Sequence, residues 1–334
     1  MMPYVMAVSP LFSFIFPFIL TVLLGLAGLP LLRRLQLRQT VREDGPKSHY
    51  VKSGTPTFGA LFFLPSLILG TIILMIRHEP VRDLLLMLLL TLSYAAVGII
   101  DDYIKVKVDK KGLSVRQKTI LLTVFAVLFA VYFLFISPDP VLLRLPFAGQ
   151  VIVMDGWLKP LYFIFTIVFI FFISNSVNLT DGVDGLAGSV TLINTLALAL
   201  YSWKLADQVA AAGAAGHFAL LIAGGCLGFL VFNWHPARVF MGDGGSQALG
   251  AALAVMTLLL GIPWILLAAG FIYIIESLSV IIQVAYFKKT GGRRIFRMSP
   301  IHHHYELGGW SEIRIVLTFS LVSLVACAVG WLLI

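Results

Sequence analysis

Four polar residues that could do chemistry fall within one short stretch, residues 172–188: the amides of Asn175 and Asn178 and the carboxylates of Asp181 and Asp184. Apolar runs flank the stretch, at 161–173 and 190–200, so these groups stand where one membrane-length helix ends and the next begins. Carboxylates are costly in that position and mark function by default. Their spacing predicts neighbouring faces of a first helical turn. Gly182 and Gly185 let backbone approach a ligand closely. A capped, solvated loop is the plainer alternative. A second pair, Asp101 and Asp102, ends another apolar run. Adjacent helical residues point about 100° apart, so one carboxylate faces a site and the other orients it or repels. Such a pair suits a proton acceptor near neutral pH, and a solvated helix end is its alternative. A fifth carboxylate, Asp243, lies between glycines and is followed by Ser246. It reads as a ligand for a hard cation, or as a cap of the helix that follows.

Other polar groups join these. Lys52 lies in a loop punctuated by Gly54 and Pro56, where Thr55 or Thr57 can cap the next helix. Asn233 and Phe240 lie in the segment that leads to Asp243. Glu276 and Gln283 are unusual at membrane depth, and hydrogen bonding to a neighbouring helix is the reading for Glu276. His302, His303 and His304 are consecutive, so their side chains diverge and cannot all serve one metal. They suit a loop that offers imidazole donors to phosphate or sugar oxygens.

Composition decides what must position these residues. The chain has 334 residues, 59% hydrophobic and 12% charged, with mean hydropathy +0.97. That excludes a soluble globular profile. Apolar runs predict ten spans, at 11–32, 56–76, 83–103, 117–136, 160–177, 186–203, 215–232, 246–262, 264–287 and 314–333. Residues 11–32 are long enough to span and no basic segment precedes them, so no cleavable leader is expected. With the termini placed outside, 19 of the 24 lysines and arginines fall on the inner side and 5 on the outer. This asymmetry sets both termini outside the cytoplasm. It also accounts for the net charge of +8 without nucleic acid. Residues 141–145 and 150–154 predict a short external hairpin. Gly224 and Gly228 predict close helix packing. Cys226 and Cys327 lie in apolar runs and form neither a disulfide framework nor a zinc site. The expected fold is an all-α, polytopic membrane protein forming a single domain over 1–334.

Every strong polar cluster then falls on the cytoplasmic face. Several carboxylates and lysines beside an apolar wall suit the joining of a soluble anionic donor to a lipid acceptor. Phosphoryl transfer between two anions needs charge neutralisation, which Mg²⁺ and lysine supply.

The motifs Gly54-Thr55-Pro56-Thr57, Asp101-Asp102-Tyr103-Ile104-Lys105, the run from Asn178 to Ala187, Phe240-Met241-Gly242-Asp243 and the run from Pro300 to Glu306 carry a resemblance. Together they resemble the phospho-N-acetylmuramoyl-pentapeptide transferase family, within the polyprenyl-phosphate N-acetylhexosamine-1-phosphate transferases. The triple histidine followed by Tyr305 and Trp310 is similar to the muramoyl-pentapeptide branch. The resemblance implies Mg²⁺-dependent attack of undecaprenyl phosphate on the β-phosphate of UDP-N-acetylmuramoyl-pentapeptide, giving lipid I and UMP. It implies Asp243 as the metal ligand, Asp101 as the base and Asp102 beside it. It associates Lys52, Asn178, Asp181, Asp184, Phe240 and Gln283 with nucleotide recognition. Asn175 joins these as a candidate substrate-binding residue. Lys105, Lys118, Asn233, Ser246 and His302, His303 and His304 are placed along the cleft. A homodimer in the bacterial cytoplasmic membrane is implied by the same resemblance. Phe58, Ala60 and the Thr318-Phe319-Ser320 segment depart from the family's usual residues. The competing readings are a transferase using UDP-N-acetylglucosamine, a cation-coupled transporter and a non-catalytic lipid-binding protein. A transporter would hold its ionisable groups near the bilayer midplane, whereas here they gather at one edge.

Overall fold

The computed structural model describes residues 8–35, 54–77, 80–146 and 150–334. Lys52 and its loop lie outside the described residues. The fold is an all-α, polytopic membrane protein, and each of the ten expected spans is carried by helix. In chain order the helices are α1 (Pro10–Arg34), α2 (Ala60–Ile76), α3 (Val81–Lys107), α4 (Val115–Val131, extended by a π turn to Ile136), α5 (Leu158–Thr180) and α6 (Leu186–Lys204). There follow α7 (Ala212–Asn233), α8 (Asp243–Leu259), α9 (Ile265–Ala268), α10 (Phe271–Lys289), α11 (Ile301–Glu306) and α12 (Glu312–Leu333). Eight of these are long and apolar enough to cross a membrane. The hairpin forms as expected, β1 (Leu142–Arg144) antiparallel to β2 (Val151–Val153), with Leu143 opposite Ile152.

The core is α8. Every residue from Gly244 to Leu258 is buried, and α3 and α5 pack on it. Beyond its first turn α8 carries only Gln247 and Thr257 as polar side chains, both hydrogen-bonded within the protein, and a helix with no sizeable polar face must be enclosed by others. Glycines set two close crossings. Gly224 and Gly228 bring α7 against Phe14, Pro17, Phe18 and Thr21 of α1. Gly98 brings α3 against the first turn of α8.

Four expectations are corrected. The α5 helix runs on to Thr180, and Asp181 and Asp184 occupy a turn before α6 rather than one helical turn. Neither Thr55 nor Thr57 caps α2, whose N-cap is Gly59 without a side-chain bond. Instead, residues 56–60 pair with the segment before α8: the Phe240 N–H donates to Pro56 O (2.8 Å), and the Gly59 N–H to Phe240 O (2.9 Å). Phe58 reaches this pairing with φ 71°, a conformation side chains rarely adopt. The ninth span is two helices, α9 and α10, because the backbone breaks at Ala269–Gly270 with Gly270 tight against Leu266. Finally, α8 starts at Asp243, so Asp243 is its first helical residue and Gly242 its cap.

Candidate active site

Three helix ends converge on one cluster of charge. The last turns of α3 carry Asp101, Asp102 and Lys105, the first turn of α4 carries Lys118, and α8 begins with Asp243. A capping box of Ser114 and Gln117 starts α4 and so fixes Lys118 one residue later. Lys105 Nζ lies 2.8 Å from Asp101 Oδ2 and 2.7 Å from Asp243 Oδ2. Lys118 Nζ lies 3.2 Å and 2.5 Å from the same two oxygens. Each lysine therefore bridges both carboxylates. Asp101 Oδ1 also accepts the Leu113 N–H at 2.6 Å. Asp102 points the other way, as the helical offset requires, and accepts the Gly244 N–H at 3.1 Å.

The last turn of α5 supplies the remaining contact. Asn178 Nδ2 donates to Asp243 Oδ1 (3.0 Å) and to Ser246 Oγ (2.8 Å). Asp101, Asp102, Lys105, Lys118, Asn178, Asp243 and Ser246 thus form one connected cluster. Gly242, with φ 78°, lies where a Cβ would sit 2.9 Å from Thr57 Oγ1 and against Asp102. Only glycine fits this close approach.

The other expected residues surround the cluster. Asp181 caps the end of α5. Burial first, then the carboxylates of Asp243, Asp102 and Asp184, hold its carboxyl well above the usual range. Asp184 Oδ2 accepts from His235 Nδ1 (3.1 Å) and from the Ala237 N–H (3.0 Å). Asn233 Oδ1 accepts the Gly185 N–H at 3.0 Å. Asn175 turns back on its own helix, donating to Phe171 O at 2.7 Å, and does not contact the cluster. The side chain of Phe240 is half-buried beside the paired backbone of residues 56–59. Gln283 is engaged by backbone: its Oε1 accepts the N–H groups of Ile295 (3.0 Å) and Phe296 (3.1 Å), and its Nε2 donates to Phe296 O (2.9 Å).

The three histidines take different partners, but they do not all diverge as expected: the rings of His302 and His303 pack with centroids 4.1 Å apart. His302 is fully buried, with Nδ1 3.0 Å from Oε2 of the equally buried Glu276. That bears out the reading of Glu276 as a partner of a neighbouring helix. His303 pairs with Glu306 (3.1 Å), and His304 Nδ1 accepts the Arg297 N–H (3.1 Å).

Among the described residues, two sets of donors could hold a cation. Around Asp243 the groups are oxygens, with two ammonium groups standing on Asp243 Oδ2 where positive charge is demanded. That set fits a hard cation. The second set is Asp184, His235 and Glu312, whose donor atoms lie within 4.8 Å of one another. Its imidazole suits a borderline metal better than Mg²⁺. The sequence reading passed over His235 and Glu312. Their signal was position: His235 follows Asn233 in the same polar segment, and Glu312 opens the last span on the same face.

Comparison with known proteins adds a second line. Residues 84–261 match the family described as Glycosyl transferase family 4. A curated phospho-N-acetylmuramoyl-pentapeptide-transferase of Acetivibrio thermocellus is 43% identical over 332 residues, covering 97% of this chain and 95% of its own length. One from Bacillus subtilis is 43% identical over 324 residues, covering 96% of each. One from Pelotomaculum thermopropionicum is 45% identical over 316 residues, covering 93% of each.

Proposed function

The chain belongs to the phospho-N-acetylmuramoyl-pentapeptide-transferase family, and from that premise we propose that it transfers phospho-N-acetylmuramoyl-pentapeptide from UDP-N-acetylmuramoyl-pentapeptide to undecaprenyl phosphate. The products are lipid I and UMP. An oxygen of the lipid phosphate attacks the β-phosphorus of the donor, and the bond from that phosphorus to UMP breaks. Asp101 takes the proton of the lipid phosphate, with Asp102 beside it. Lys105 and Lys118 neutralise the two phosphates as they approach, and Asn178 orients Asp243. The turn at 181–185 and Phe240 bind the nucleotide, while the histidines of α11 meet the sugar or its phosphate. Mg²⁺, held by Asp243, supplies further charge neutralisation when bound. Direct attack is favoured over a covalent aspartyl intermediate, because the lipid phosphate is already a nucleophile. The membrane is the bacterial cytoplasmic membrane, with the cluster on its cytoplasmic face, as the 19-to-5 basic split supports. A homodimer is part of the same reading.

The observation that carries this proposal is the double bridge of Lys105 and Lys118 between Asp101 and Asp243 at one end of an apolar bundle. UMP release by purified protein with Mg²⁺ and undecaprenyl phosphate tests it. Release with the muramoyl-pentapeptide donor and not with UDP-N-acetylglucosamine is expected. Release only with the latter moves the chain to the sibling chemistry. Release with neither, from folded protein, removes the transferase reading.

A further inference from the structure

We infer that His235 and Glu312 are positioning residues, which lock the turn between α5 and α6 in the shape that binds the nucleotide donor. The inference rests on the reading above that this turn serves the donor. Residues 181–185 have no helix of their own to hold them, and Gly185 has φ 80°. Their shape must come from outside the turn. Two segments distant in sequence supply it. From α12, Glu312 Oε2 accepts the N–H of Asp184 at 3.1 Å. From the exit of α7, His235 Nδ1 donates to Asp184 Oδ2 at 3.1 Å, and the Ala237 N–H donates to the same oxygen at 3.0 Å. Asn233 then holds the Gly185 N–H at 3.0 Å and reaches Val239 O with its own amide at 2.9 Å. His235 Nδ1 also lies 3.7 Å from Glu312 Oε2, so one ring faces both carboxylates.

Asp184 and Glu312 are 4% and 8% exposed. Two carboxylates held this close and out of water require donors, and the imidazole N–H stands between them. These same three residues have the spacing of a metal site. The hydrogen bonds favour the lock over a metal. Asp184 Oδ2 already receives two N–H groups and Glu312 Oε2 a backbone N–H, so both oxygens already serve as hydrogen-bond acceptors that tie the turn to its neighbours. With two backbone amides of the turn fixed by side chains, a truncation frees the turn without touching the lysine cluster.

The test compares His235→Ala and Glu312→Ala with the conservative His235→Asn and Glu312→Gln in purified full-length protein. The Asn variant keeps an N–H donor, and the Gln variant keeps a carbonyl oxygen for the Asp184 amide. The Ala variants should raise KM for the UDP-linked donor by about tenfold, the equivalent of one lost hydrogen bond to a charged group. KM for undecaprenyl phosphate should not move, and the conservative variants should restore most of the donor affinity. Unchanged KM for both substrates, with kcat falling only as thermal stability falls, would reduce the residues to ordinary scaffold and overturn the lock. Stoichiometric Zn²⁺ or Mn²⁺ in the native protein, lost in His235→Ala, would overturn it in favour of a metal centre. If the Ala variants do not fold, amide exchange decides. Slow exchange at Asp184 and Gly185 in native protein supports the lock, and loop-like exchange overturns it. Absence of any UMP release by native protein would remove the functional reading instead, and amide exchange would still judge the lock.

Discussion

Gly98→Ala tests whether helix packing sets the catalytic geometry. Gly98 lies one turn before Asp101 and Asp102, where α3 crosses the first turn of α8. A Cβ there would sit 2.5 Å from the Gly244 N and closer still to the Asp243 carbonyl, whereas ordinary contact begins at 3.4 Å. Both atoms are backbone, so no side chain can swing aside. The helices must part by about 1 Å, an overpacking that costs about 1–3 kcal/mol. The shift falls between Asp101 and Asp243, which Lys105 and Lys118 bridge at 2.5–3.2 Å. Parting them lengthens at least one arm of each bridge beyond hydrogen-bond range. Misplacement of this size lowers kcat by about 100-fold. Gly224→Ala is the matched control. Its Cβ would lie 2.8 Å from Pro17 Cγ and closer to Phe14 O, between α7 and α1 and away from the carboxylates. Both variants should lower the thermal midpoint in detergent, and UMP release per folded molecule should collapse in Gly98→Ala alone. Equal kcat losses in the two, or near-native kcat in Gly98→Ala, would refute the claim that this crossing sets the site.

Further outcomes are expected. Asp101→Asn, Asp102→Asn and Asp243→Asn should each still fold, with lowered thermal midpoints where the lysine ion pairs are lost, yet lose about 100-fold or more in transfer per folded molecule, as for a lost base or metal ligand. Near-normal turnover in Asp243→Asn removes its metal role. Because Asp181 binds its proton more tightly in the folded chain, its contribution to stability is complete below the ordinary carboxylate range and lost as pH rises through the folded value. The thermal midpoint of substrate-free protein should therefore fall as pH rises, and Asp181→Asn should flatten that fall; parallel curves would count against the raised carboxyl. Gly182→Ala would place a Cβ 2.8 Å from His302 Cε1 and closer to Nε2. Since His302 is pinned on Glu276, the variant should lose stability and the double variant Gly182→Ala/His302→Ala should recover part of it. Strictly additive losses would show that ring and glycine do not meet.

The helices were legible because apolar run length is a direct consequence of bilayer thickness, and each expected span carries helix. The hairpin was legible for a similar local reason, two short apolar strands around a turn. What eluded the sequence was set by contacts between distant segments. Thr57 looked like a cap because threonine before an apolar run usually is one. The structure instead pairs residues 56–60 with 240–241, a partner about 180 residues away in the chain. Gln283 had the composition of a ligand-binding residue at membrane depth, and in the substrate-free protein its Oε1 and one N–H of its amide bond to the loop after α10. The Asp pairs, Asn178 and Asp243 were legible as site candidates because polar groups at a membrane edge stand out against 59% hydrophobic composition, whereas Lys105 and Lys118 became candidates through the family resemblance. His235 and Glu312 lie in or beside polar segments of the same face, but their joint role depends on α12 reaching the turn at 184, a contact between residues 128 apart.

The proposed use of a divalent cation draws support from the charge of the cluster as well as from resemblance. Asp101, Asp102 and Asp243 converge with Lys105 and Lys118. With every carboxylate ionised, three negative charges face two positive ones. The N-terminus of α8 adds about half a positive charge, and Asp102 and Asp243 already occupy it. A lipid phosphate and a diphosphate donor bring several more negative charges to this place, so the two lysines cannot balance the assembled complex. Chelation of divalent cations should therefore stop UMP release, and readdition of Mg²⁺ should restore it. The thermal midpoint of the substrate-free protein should change little, because the ion pairs that join α3, α4 and α8 use lysine and not metal. Transfer that persists under chelation would mean that the lysines and the helix terminus suffice, and Asp243 would then be a partner for lysine alone.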